Sequence, residues 1–203
     1  MAQRYNMPLH QYPALVNILG YLTYFAKKNM SHINIEFKAR IENLQTAEKK
    51  LLKLNPLFIG VDKQVDTYYH VKKGLLKLRE GNIENALIYY EREDHAGSKQ
   101  SNVILYPHTP SLSLKNILEA THRIKTIVKK TRRIYFIENV KFHFDSVENL
   151  GEFIEVEAID KDGTISIDNL QKQCDKYIEF FNISPADFME SSYSILLIKK
   201  SSL

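Results

Sequence analysis

The chain contains no tryptophan, a single cysteine and, across its first 29 residues, no acidic side chain. One cysteine, Cys174, excludes an internal disulfide and fits a reducing compartment. Internal repeats and low-complexity runs are absent, and so are long apolar runs. The most apolar stretch, Ala14 to Ala26, is interrupted by Asn17, Gly20 and Thr23. Thirteen residues are too few for a helix to cross a bilayer. The same stretch could serve as a signal-peptide core or part of a transit peptide, with poor cleavage-site and arginine signals. Residues 1–29 therefore read as an N-terminal extension, dispensable or targeting, and residues 30–203 as the functional domain.

What is present is ordinary for a globular chain of 203 residues: 44% apolar, 26% charged, with a net charge of +4. The mild basicity suits an anionic partner without selecting one. The informative stretch is Ile33 to Arg40. Ile33, Ile35, Phe37 and Ala39 alternate with Asn34, Glu36, Lys38 and Arg40. That period of two marks a strand with one apolar and one charged face. Glu36 and Lys38 stand about 7 Å apart along it, a carboxylate beside an ammonium. Alone, such a face reads as one wetted by solvent.

The pattern recurs. Strands are predicted at Gln64–His70, Gly74–Glu80, Asn85–Arg92, Asn102–Tyr106, Ile127–Ile137, Val140–Asp145 and Glu152–Ile159, mostly joined by short turns and hence antiparallel. Helices are predicted after a cap at Thr46, after Ser111 or Ser113, and along the stripe Ile167, Leu170, Cys174, Ile178 and Phe181, with a short piece at Ser184-Pro185. His95–Ser98 reads as a loop. On that stripe Cys174 is a core filler, not a nucleophile.

Charges two residues apart share a face on several of these strands. The cations are Lys38, Lys77, Arg79, Arg92, Lys130, Arg132 and Lys141; the acids are Glu36, Asp145, Glu155 and Glu157. If the faces line one lumen, seven positives meet four negatives, and the surplus of three calls for a polyanion. A triphosphate with one divalent cation brings the site near neutrality. Nucleic acid is not expected, because aromatic platforms and an exposed basic stripe are both missing. His143, beside Asp145, reads as a structural histidine before a proton carrier.

Several segments, in order, resemble the CYTH proteins, or triphosphate tunnel metalloenzymes, which include class IV adenylate cyclases, thiamine triphosphatases and inorganic triphosphatases. Asn34-Ile-Glu-Phe-Lys38 resembles the opening E-x-E-x-K motif. Gln64–Tyr68, Gly74–Glu80, Ile88–Arg92 with Lys99 and Ser101, Lys130–Tyr135, Val140–Asp145, Leu150–Glu157 and the closing Ser192-Tyr193 with Leu196-Leu197 are similar to the later landmarks. The resemblance implies a mainly β (α+β) fold, an eight-stranded antiparallel closed tunnel with a few flanking helices. It implies Mg²⁺ or Mn²⁺ on Glu36, Glu155 and Glu157, and a triphosphate held by Lys38, Lys77, Arg79, Arg92, Lys130, Arg132 and Lys141. Lys38, Arg132 and Asp145 are the expected catalytic residues, Asp145 as proton acceptor.

Two departures stand out. Asn34 replaces the first glutamate of the motif, removing one charge from the metal site, and Ile195 stands where aspartate is common. The C-terminal spacing is closest to cyclase-like members, which convert ATP to cyclic AMP and pyrophosphate. The alternatives are a triphosphatase acting on inorganic, thiamine or nucleoside triphosphate, and a non-catalytic polyphosphate or nucleotide binder. A cytoplasmic monomer or homodimer without membrane association is expected.

Overall fold

The computed structural model describes residues 31–92 and 97–202; the expectations for residues 1–29 and for His95 and Ala96 of the His95–Ser98 loop lie outside them. Eight strands form the barrel: β1 (Ser31–Arg40), β2 (Leu57–Tyr69), β3 (Leu75–Glu80), β4 (Ala86–Arg92), β5 (Lys99–Pro107), β6 (Ile124–Ile137), β7 (Val140–Val147) and β8 (Gly151–Asp160). Their order is β1-β5-β4-β3-β2-β6-β7-β8, closed and antiparallel throughout. Among the described residues, four α-helices accompany them: α1 (Leu44–Leu52), α2 (Leu112–Thr121), α3 (Ile167–Phe181) and α4 (Tyr193–Ser201). None is long and apolar enough to cross a membrane.

The apolar core lies outside the barrel wall. Ile35, Phe37 and Ala39 of β1 join Phe142 and Phe144 of β7 and Ile154, Val156 and Ala158 of β8. This outer face packs against Ala47 and Leu51 of α1 and Leu170, Cys174, Tyr177 and Phe181 of α3. Burying it leaves the alternate residues no direction but inward. The charged face of β1 is therefore not wetted from outside: Asn34 is 2% exposed and Glu36 9%. An eight-stranded barrel has room inside for side chains or one small ligand.

Local details differ from the sequence pattern. Asn43, not Thr46, caps α1, its Oδ1 accepting from the Thr46 backbone N–H at 2.8 Å. Asn is the stronger cap, and Thr46 falls in the first turn. Ser111 caps α2. On α3 the buried stripe runs through Tyr177, while Ile167 opens the helix ahead of it and is exposed.

One end of the lumen is closed by α4. Inward-facing Tyr68, Val128, Val147 and Phe153 form a cluster with Tyr193, against which Leu196 and Leu197 pack. Lys99 ties β5 to the segment before α4, donating to the carbonyls of Met189 (3.2 Å) and Glu190 (2.5 Å).

Candidate active site

Inside the wall lies a cavity of about 140 Å³. Six cations border it: Lys38, Lys77, Arg79, Lys130, Arg132 and Lys141. Five acids do too: Glu36, Asp66, Glu84, Glu155 and Glu157. The surplus among these described lining residues is one. Asp66 and Glu84, which follow no paired pattern in the sequence, add two acids to those expected. The lumen is thus a network of internal ion pairs awaiting exchange, not a bare cluster of like charges.

Asp66 is the hub. Its carboxylate accepts a two-pronged bond from Arg79 (2.8 and 3.0 Å), one from Lys130 (2.7 Å) and one from Lys77 (3.2 Å). Burial alone would raise its pKa, but Arg79, Lys130 and Lys77 together hold it well below the usual carboxylate range. Glu84 takes the other side of Arg79 at 2.9 Å and pairs with Lys141. Asp62 places Glu84. Fully buried, it accepts from the backbone N–H of Ile83 (2.9 Å) and Glu84 (3.0 Å) and from the Gln64 amide (2.7 Å). Gly81 lets this carboxylate approach; a Cβ there would lie 2.6 Å from Asp62 Oδ1. Asp62→Ala is expected to lower stability by about 1–3 kcal/mol through the orphaned backbone donors. Unfolding in urea measures it, and an unchanged midpoint would refute it.

The second network centres on Arg132. Its guanidinium forks onto Asp145 (2.7 and 2.6 Å) and also donates to Glu155 (2.6 Å), whose other oxygen meets Lys38 at 2.9 Å. Tyr193 donates to Asp145 at 2.9 Å, and Lys38 sits 4.4 Å over the Tyr193 ring.

Two groups are poised near neutrality. Burial pushes the Lys130 ammonium down to about 7, with Arg79, Arg132 and Lys77 adding to it and Asp66 opposing. Burial pushes Glu157 up to about 7, with Glu155 and Glu36 adding to it and Lys141 and Arg132 opposing. Burial, with Arg132 and Lys141, drives His143 down to about 3. Between about pH 4.5 and 6.5 the last two cancel. The proton that His143 carries when unfolded is matched by the one Glu157 carries when folded. Above pH 7, Lys130 is protonated unfolded and neutral folded, so the unfolded chain binds more protons and stability rises with pH. Calorimetry between pH 7 and 9 is expected to show this rise, at most about 1.4 kcal/mol per unit, and its loss in Lys130→Met. A flat profile in the native chain would contradict it.

The CYTH domain model matches residues 32–193. The chain belongs to the CYTH domain family. Solved structures sharing the fold include the PH1012 protein from Pyrococcus horikoshii OT3 (23% identity, TM-score 0.71, covering 80% of this chain and 98% of that one). A candidate adenylate cyclase from Vibrio parahaemolyticus aligns at 19% identity and TM-score 0.68, covering 85% and 99%. A candidate adenylyl cyclase from Hippeastrum, which reveals a dominant triphosphatase activity, aligns at 11% and 0.56, covering 84% and 96%. Among curated proteins, none matches.

Of the residues singled out in the sequence, this CYTH barrel gathers Lys38, Lys77, Arg79, Lys130, Arg132, Lys141, Glu36, Glu155 and Glu157 around one cavity. Arg92 ends β4, and its side chain lies outside the described residues. Asp145 differs from expectation. It is fully buried beneath Arg132, does not border the cavity, and both its oxygens are taken by Arg132 and Tyr193. Its place is that of an anchor for Arg132. Tyr193 lines the cavity, a role its place in the closing motif did not reveal.

The divalent cation implied by the family finds suitable donors. Glu36 and Glu157 face each other across the β1–β8 ladder, where two like charges repel. Ligand atoms of His143, Glu155 and Glu157 lie within 4.8 Å of one another. Glu36 is not in that group; Asn34 Nδ2 donates to its Oε2 at 3.2 Å.

Proposed function

We propose that this protein carries out divalent-metal-dependent chemistry on an organic triphosphate such as ATP. The observation that carries the reading is the convergence of six cations, from β1, β3, β6 and β7, on one enclosed cavity. Lys77, Arg79 and Lys130 are held together by Asp66 in the absence of ligand, so phosphate oxygens would take over contacts already in place. Arg132, its fork fixed on Asp145, keeps Nη1 for a second phosphoryl group. The cation, on Glu36, Glu155 and Glu157 as the family implies, would supply Lewis-acid neutralisation of charge on the phosphate oxygens. The chain's own lysines and arginines bind, orient and exclude water.

An apolar strip supports an organic substrate over inorganic tripolyphosphate. Ala86, Ile88 and Tyr90 of β4 and Val103 and Leu105 of β5 line the same cavity and cluster together. A bare polyphosphate leaves these side chains unused; a nucleoside or thiamine moiety has a face to set against them. Tyr90→Ala is expected to weaken ATP binding about tenfold, some 1.4 kcal/mol, while leaving tripolyphosphate within about twofold. Equal losses for both ligands would refute the strip's role.

Two reactions share this apparatus. In the cyclase, the ribose 3′-hydroxyl attacks the α-phosphorus and pyrophosphate leaves. In the hydrolase, water attacks the terminal phosphorus, the activity named for the Hippeastrum protein. The spacing of the C-terminal half resembles cyclase-like members, a label shared with relatives that hydrolyse triphosphates. Incubation with ATP and Mg²⁺ or Mn²⁺ separates them: cyclic AMP with pyrophosphate supports the first, orthophosphate without a cyclic product the second.

A further inference from the structure

We propose that His143 is a metal ligand in place of the Glu36 that the family implies, making the cation site of this tunnel a mixed nitrogen–oxygen site, His143 with Glu155 and Glu157, suited to Mn²⁺, Co²⁺ or Zn²⁺ over Mg²⁺. The inference deepens the reading of the cavity given above and rests on side-chain geometry.

His143 is 1% exposed, and neither ring nitrogen has a hydrogen-bond partner. Buried imidazoles seldom go unpartnered, because each polar atom has given up water for nothing. Nδ1 instead stands 3.4 Å from Glu157 Oε1 and 3.5 Å from Glu155 Oε2, and the three ligand atoms lie within 4.8 Å of one another. Those gaps are too long for a normal N–H···O bond, which falls at about 2.7–3.2 Å. They do fit two donors sharing an ion: ligand atoms about 2.1 Å from a tetrahedral metal are about 3.4 Å apart. Arg132 (2.6 Å) and Lys38 (2.9 Å) fix the Glu155 carboxylate beside the imidazole.

Donor chemistry then decides the ion. Mg²⁺ takes oxygen donors and retains water, whereas imidazole suits borderline transition ions.

The test uses the full chain and metals alone. Pulsed EPR of the Mn²⁺-loaded protein is expected to show coupling to a nitrogen nucleus, absent in His143→Asp. Titrations of Zn²⁺ and Mg²⁺ are expected to show the Zn²⁺-to-Mg²⁺ affinity ratio falling at least tenfold in His143→Asp, since Zn²⁺ loses its nitrogen and Mg²⁺ gains an oxygen. Bound Mn²⁺ without nitrogen coupling in the native chain would overturn the proposal even if the variant does not fold. So would an unchanged ratio in a folded variant. Tripolyphosphate binding in chelator is measured alongside. Its loss with nitrogen coupling intact would sink the triphosphate reading and leave this one standing.

Discussion

Arg132→Ala is expected to destabilise the protein by about 3–5 kcal/mol and to lower turnover of a triphosphate by roughly a hundredfold to a thousandfold. The stability loss follows from what remains. Asp145 is fully buried and Glu155 nearly so, and both rely on the same guanidinium. The Arg132 charge, together with Lys38 on Glu155, outweighs burial and holds both carboxyls below their ordinary range. Without it, each carboxylate must either stay charged without its main partner or take up a proton. Arg132→Lys is expected to recover only part of the loss, because an ammonium cannot fork onto Asp145 and reach Glu155 at once. Unfolding in urea gives the stability term. A loss below about 1 kcal/mol for Arg132→Ala would show that the buried network carries little of the fold.

Asp66→Asn is expected to lower the melting temperature by about 10 °C, and tripolyphosphate to restore most of it. Asp66 is the shared counter-ion of Lys77, Arg79 and Lys130. An amide of the same shape leaves three buried cations facing one another. Lys130, already pushed down to about 7, then releases its proton, which limits the cost to about 3 kcal/mol. A polyanion supplies what the aspartate supplied, so ligand-induced stabilisation should exceed that of the native chain. Thermal shifts of the two proteins, with and without ligand, decide the matter. If the variant melts lower but ligand stabilises it no more than the native protein, phosphate does not occupy the Asp66 neighbourhood.

The barrel was legible because alternation survives in a strand buried on both faces when the two faces differ in chemistry. In β1, β7 and β8 the apolar set packs on α1 and α3, and the charged set has only the lumen left. The cations were legible for the same reason: Lys77 and Arg79, or Lys130 and Arg132, repeat at the strand period. The counter-ions were not. Asp66 has no charged neighbour two residues away on β2, Glu84 sits in the β3–β4 turn where no period applies, and each is assigned only by the partner that reaches it. The apolar strip on β4 and β5 was hidden too: Ile88 and Tyr90 share the strand face of Arg92, and only closure shows that this part of the lumen wall is apolar. Asp145 shows the converse limit. It was expected as a proton acceptor, and only the fork from Arg132 reveals an anchor.

The most direct measurement is calorimetric titration of the full chain with ATP, in the native protein and in Arg79→Met. One site per chain is expected in the native protein, with affinity weakened at least about a hundredfold in the variant while the fold is retained. No binding by the native protein, or binding that Arg79→Met leaves intact, would mean that the enclosed cations serve only one another.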